Sequence, residues 1–220
     1  RVEKVQKMLP AGISIEPYLN RSELVNRNIS TVVRNLIEGA LIVFLVLIIF
    51  LGDVRSGVIV ASVIPLAMLF AFIMMHLFGV TANLMSLGAV DFGIVVDGSI
   101  VILEGALAHL HSKKFQGSVL TRREMDEQVE IGALKVVKSA TFAVLIILIV
   151  FFPILTLSGI EGKYFTPMAE TLIFCIIGAL ILSLTYVPMM ASLFLSRKIT
   201  AKETLADKFF KAVNKGYQKV

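Results

Sequence analysis

In a chain of 220 residues, 57% are hydrophobic and the mean hydropathy is +0.87, more apolar surface than a soluble domain of this length buries, so an ordinary soluble protein is excluded. The net charge of +5 does not mark a nucleic-acid interface, because Lys and Arg lie between and beside apolar runs rather than on one interleaved patch; they read as loop charge facing an anionic membrane surface. Cys175 is the single cysteine and sits inside an apolar run, which excludes a disulfide framework and a cysteine-based metal motif.

The chain begins at Arg1, and residues 1–35 have no signal-peptide layout, so it reads as an interior piece of something longer. Residues 1–35 mix Lys and Arg with Glu3, Glu16 and Glu23 and read as the edge of a folded external domain leading into the membrane. Apolar stretches follow at 36–51, 57–79, 83–108, 139–158 and 168–195, each near or above the ~20 residues a helix needs to cross a bilayer. The first is the shortest and carries Glu38 near its start. Pro65, Pro153 and Pro188 fall inside these stretches, where each frees a backbone carbonyl and favours a kink.

Arg55 follows the first stretch; Lys113, Lys114, Arg122, Arg123, Lys135 and Lys138 fill the third connection; Arg197, Lys198 and Lys202 follow the last stretch. By the positive-inside rule these segments are cytoplasmic. The N-terminal segment and the loops Gly79–Asn83 and Gly159–Pro167 then face the other side. Within 201–220, Leu205, Phe209, Val213 and Tyr217 recur every four residues opposite Lys208, Lys211, Lys215 and Lys219, the pattern of a basic amphipathic helix on the membrane surface. The expected fold is an all-α membrane protein, a bundle of about five transmembrane helices within 36–200 with a C-terminal amphipathic surface helix.

The third stretch holds three carboxylates, Asp91, Asp97 and Glu104, in an otherwise apolar or small sequence. Each costs ~2.5–3.5 kcal/mol at a bilayer centre, so lipid is excluded as their resting place. On a helix, Asp97 and Glu104 lie within ~20° of each other and roughly 10 Å apart, sharing a stripe with the helix-packing glycine Gly93. Asp91 is rotated by ~120° toward the side of Gly98 and Gly105. The three acids are expected to address a bundle interior from two sides. A carboxyl in a low-dielectric site titrates nearer neutrality, which suits a proton relay. No Lys or Arg lies within the five apolar runs, so a cationic partner must come from outside this chain. A structural ion pair with another helix is the competing reading. An intramembrane aspartyl protease fits poorly, since Asp91 and Asp97 occupy different faces.

The run DFGIVVDGSIVILEG, flanked by NLMSLGAV and ALAHL, closely resembles the fourth transmembrane helix of the heavy-metal efflux branch of the resistance-nodulation-division transporters, in the two-aspartate form of the Czc type. FLGDVRSGVIVASVIPLAM resembles the turn between that family's second and third helices, and FPILTLSGIEGKYFTPMAETLIF its fifth and sixth. The resemblance implies a multi-pass permease of the bacterial inner membrane, a secondary active transporter rather than an enzyme, exporting divalent cations such as zinc, cobalt, cadmium or nickel by proton antiport. It implies a homotrimer that docks with a periplasmic adaptor (membrane fusion) protein and an outer-membrane channel, with no cofactor beyond protons and the transported cation and no nucleic acid. By position in the motif, Asp91, Asp97 and Glu104 are the proton-carrying acids, and residues 1–35 are the end of a periplasmic porter domain. Ser99 stands where the branch usually has Ala, and Gly105 where it usually has Asn. Relatives that export copper and silver typically lack the first aspartate, so Asp91 favours the other metals.

Met74, Met75 and His76 have the ligand softness to pass a metal, but packing methionines with His76 at the interface is the preferred reading. His109 and His111, two apart, point in different directions and are assigned no metal. Ser139, Thr141 and Thr185 are read as bonding their own backbone. Other functions left open are a drug-exporting permease of the same superfamily, a SecDF-like proton-driven translocation motor, and a structural membrane protein.

Overall fold

The structure, a computed structural model, describes residues 21–81, 92–112 and 119–196. Expectations that fall on Asp91, on residues 1–20 and on the basic segment 201–220 lie outside them. The described chain is all-α: α1 (Arg21–Leu51), α2 (Val54–Phe78), α3 (Phe92–Leu110), α4 (Arg122–Leu155) and α5 (Gly159–Phe194). In hydrocarbon every backbone N–H and C=O must be satisfied within the segment, and long apolar runs meet that demand as helices.

Four of the five, α2 to α5, are long and apolar enough to cross a membrane. In α1 the apolar part is shorter, Ile37–Ile49, and continues a polar helix that starts at Arg21. Exposed pairs one turn apart, Arg27 to Glu23 at 2.9 Å and Arg34 to Glu38 at 2.7 Å, line that polar half. Such pairs add little stability.

The helices alternate in direction. Ile48 near the end of α1 lies against Gly57 at the start of α2. Arg55 Nη1, in the first turn of α2, donates to the carbonyl of Phe194 at the end of α5 at 3.3 Å. His109 near the end of α3 meets Gln128 of α4. One end of the bundle therefore gathers the start of α2, the end of α3, the start of α4 and the end of α5, the segments whose basic residues are expected on one side of the membrane.

The connection between α1 and α2 is shorter than expected, since Arg55 is already helical and Asp53 caps α2 by accepting from the Arg55 N–H. At its far end α2 stops at Gly79, whose φ of 69° suits a residue without Cβ and whose N–H returns to the Met75 carbonyl.

The expected loop Gly159–Pro167 is instead the first two turns of α5. Pro167 removes one backbone donor without ending the helix, as membrane helices tolerate when neighbouring groups take up the freed carbonyl. Phe78 stacks on Phe174 with ring centroids 5.5 Å apart, so α5 runs on past the end of α2 by about 22 Å. Likewise α4 starts at Arg122, well before its apolar stretch, because its charged turns lie beyond the bilayer and carry their own capping box.

In the core α5 packs against α2, α3 and α4. Small residues line its contact stripe: Ala179, Ser183 and Ala191 are all buried, with Val187 between the last two. Between membrane helices, association comes from close packing rather than water exclusion, and small side chains permit it.

Candidate functional site

The acidic helix α3 has two unlike faces. Val95, Val96, Ser99, Ile102, Leu103 and Ala106 are buried in the bundle, where α3 packs chiefly against α4 and α5 and also against α2. Asp97, Val101, Glu104, Ala108 and His111 form an exposed stripe with alternating spacings of four and three residues.

Asp97 and Glu104 thus share one stripe, as helical spacing predicts. Among the described helices both side chains are exposed, on the side of α3 away from its packed face. The physical reason is the neighbouring residues: Gly98, Ser99 and Ile102, offset from the acids, present the small or apolar surface that α4 and α5 cover.

Of the two packing glycines, Gly93 is half-buried beside the stripe and Gly98 is buried. A Cβ built at Gly98 would sit 3.4 Å from Ser183 Oγ and 3.7 Å from Val144, ordinary contact that does not demand glycine. The demanding approach is elsewhere. At Gly105 a Cβ would come within 2.6 Å of Val136 Cγ2 and 3.1 Å of the Gly132 carbonyl, and at Gly132 within 2.7 Å of Ala106 Cα. Here α3 and α4 cross backbone to backbone. Spacing arguments on α3 alone overlooked Gly132; only a pairing of glycines between helices would have found it.

Two residues after Asp97 and on the opposite, packed side of α3, Ser99 makes a buried hydroxyl pair with Ser183 of α5 at 2.7 Å. Ser183 donates to the Ala179 carbonyl at 2.6 Å, so the shared hydrogen belongs to Ser99. This pair fixes α3 to α5.

His109 turns toward α4. Its Nδ1 lies 2.9 Å from Lys135 Nζ and its Nε2 3.1 Å from Gln128 Oε1. An ammonium only donates, so Nδ1 accepts and Nε2–H donates to the amide oxygen. His111 is exposed on the other side, as the two-residue spacing predicts. Met75 is buried with Thr171 Oγ1 at 3.5 Å from its sulfur, while His76 is exposed. That division matches the packing reading of the Met-Met-His cluster. Among the described residues no three His, Cys, Asp or Glu side chains gather as a metal site.

The apolar helices and the acidic stripe define a segment of a multi-pass membrane protein, and comparison with known proteins identifies it further. The chain belongs to the AcrB/AcrD/AcrF family, whose model matches residues 1–220. It is 43% identical over 204 residues to the cobalt-zinc-cadmium resistance protein CzcA of Cupriavidus metallidurans, covering 92% of this chain and 19% of that protein. The nickel-cobalt-cadmium resistance protein NccA of Alcaligenes xylosoxydans xylosoxydans has the same identity over the same shares. The cation efflux system protein CusA of Escherichia coli is 32% identical over 203 residues, covering 90% of this chain and 19% of that one. The crystal structure of a heavy metal efflux pump superposes with a TM-score of 0.72 at 39% identity, over 87% of this chain and 18% of that one. This chain therefore spans about a fifth of the length of its relatives. The heavy-metal branch read from the motifs is borne out, and with the apolar helices it makes the chain part of a multi-pass inner-membrane protein.

Proposed function

We propose that this chain is part of the first half of a proton-driven permease that exports divalent heavy-metal cations such as zinc, cobalt, cadmium or nickel, with Asp91, Asp97 and Glu104 carrying the protons. The observation that supports this reading most is the exposed stripe of α3. Two carboxylates on the uncovered face of an apolar helix are too costly to leave against lipid, so they belong to an interface with a further membrane element. There a carboxyl binds a proton on one side of the membrane and releases it on the other when a cation or water approaches. Moving one charge through 100 mV supplies ~2.3 kcal/mol to the cycle.

In this reading all five apolar stretches cross the membrane, 1–35 closes a periplasmic porter domain, and 201–220 lies on the cytoplasmic surface. The full protein works as a homotrimer with an adaptor and an outer-membrane channel. Higher identity to the cobalt-zinc-cadmium and nickel-cobalt-cadmium resistance proteins than to CusA supports the choice of metals.

The test is metal tolerance in cells that express the full-length protein with Asp97→Asn or Glu104→Gln. Loss of zinc, cobalt, cadmium or nickel tolerance at normal membrane levels is expected. Wild-type tolerance to all four metals in both variants would overturn the relay assignment.

A further inference from the structure

Where α2 and α5 diverge at the end of the bundle that carries Arg55, they leave a groove of about 260 Å³. Its walls are two antiparallel stripes, Arg55, Val58 and Ser62 on α2 and Tyr186, Met190 and Phe194 on α5. Val58 and Phe194 are each more than half exposed, so the groove opens sideways, toward acyl chains rather than into the bundle.

Polarity is confined to its two ends, and the ends differ. At the inner end the Tyr186 hydroxyl lies 2.9 Å from Ser62 Oγ, which itself donates to the Ile59 carbonyl at 2.6 Å. Tyr186 therefore spends its hydrogen on Ser62, and that end offers no charge. At the mouth stands a guanidinium in the first turn of an apolar helix, the depth of lipid headgroups. Arg55 gives one N–H to the Phe194 carbonyl at 3.3 Å. Among the described residues no carboxylate pairs with it; the Asp53 carboxylate takes the backbone N–H of Arg55 at 3.3 Å instead. The remaining guanidinium donors suit a phosphate, which they bind in bidentate fashion. From Arg55 to Ser62 the trough runs about 10 Å along α2.

An apolar trough open to the bilayer with one cation at headgroup depth matches an amphiphile with an anionic head. We propose that the α2–α5 groove binds one anionic phospholipid, its phosphate on Arg55 and an acyl chain running between Val58 and Met190 toward Tyr186. Charge argues against the chain's own segment 197–220 as occupant: it carries seven Lys or Arg against Glu203 and Asp207, and Arg55 repels it. The site does not depend on the transport reading.

The test uses the full-length protein reconstituted in phosphatidylcholine vesicles doped with phosphatidylglycerol that carries a photoactivatable acyl chain, followed by peptide mapping. Adducts are expected on the peptides holding Val58–Ser62 and Tyr186–Phe194. Arg55→Gln is expected to lower them about fivefold and Arg55→Lys to retain them, since one basic contact to an anionic surface is worth about that factor. Met190→Trp, which fills the trough, is expected to remove them without changing the headgroup chemistry. Equal labelling by a phosphatidylcholine probe, or full labelling in Arg55→Gln, would reduce the groove to general lipid contact and overturn the proposal. Absence of adducts on both peptides would overturn it as well, by placing another part of the protein over the groove.

Discussion

The packed and open faces of α3 contrast in what they spend on stability. On the packed face a hydroxyl pair, a glycine crossing and five further buried side chains hold the helix in the bundle. On the open face two carboxylates stand among Val101 and Ala108, at a spacing that would receive another helix. The contrast teaches that the helix is fixed in rotation by one side so that the acids on the other are presented at a set angle. A helix free to rotate would lose the register of its acids with any partner.

The sharpest way to break this contrast is at the crossing. In the full-length protein, Gly132→Leu forces a side chain into the space held by Ala106 and His109, where even a Cβ sits at 2.7 to 2.9 Å. Overpacking of a tight site costs about 1–3 kcal/mol, and backbone against backbone leaves no flexible tip to yield. A large fall in thermal unfolding temperature in detergent, or loss of the protein from the membrane, is expected, whereas Asp97→Asn shifts it far less. Similar melting of the two variants would mean that the faces do not divide the work in this way.

A smaller effect separates the partners of the hydroxyl pair. Because Ser99 donates to Ser183 and Ser183 donates onward to Ala179, removing Ser99 leaves Ser183 satisfied. Removing Ser183 strands the fully buried Ser99 hydroxyl. Ser183→Ala is therefore expected to cost about 1–3 kcal/mol and Ser99→Ala less than about 1 kcal/mol, with Ser99→Ala/Ser183→Ala recovering part of the loss. Equal single effects in thermal unfolding would refute the assigned direction of the bond.

Much of this was legible from residue order alone. Four of the apolar stretches stand as long apolar helices, and the Asp97–Glu104 stripe follows from a seven-residue spacing. What spacing within one helix leaves open is which side the neighbours cover. That is decided by Gly132, Ser183 and Val144 on other helices, and the rotation they impose turns Asp97 outward. Residues 159–167 read as a loop because they fall between two apolar stretches, whereas the helix projects past its neighbours and its Pro167 forfeits only one backbone bond. The charged start of α4 falls outside the apolar stretch because the bilayer criterion counts apolar residues, whereas a cap such as Thr121–Glu124 starts a helix in water.

That cap gives the smallest and most exposed test. Thr121 N–H and Oγ1 donate to Glu124 Oε2 at 2.8 and 2.7 Å, and the Glu124 N–H donates back to Thr121 Oγ1 at 3.4 Å. Glu124 lies several charged turns before the apolar part of α4, outside the bilayer, and these bonds from the Thr121 backbone first and side chain second hold its carboxyl below the ordinary 4.5. A depressed carboxyl stabilises the fold above its unfolded value, and the contribution fades as pH falls through the folded one. Thermal unfolding of the full-length protein is therefore expected to show a small deficit for Glu124→Gln at pH 7 that shrinks below pH 4.5. A deficit that stays constant across that range would mean that the cap works through shape alone, without the charge of Glu124.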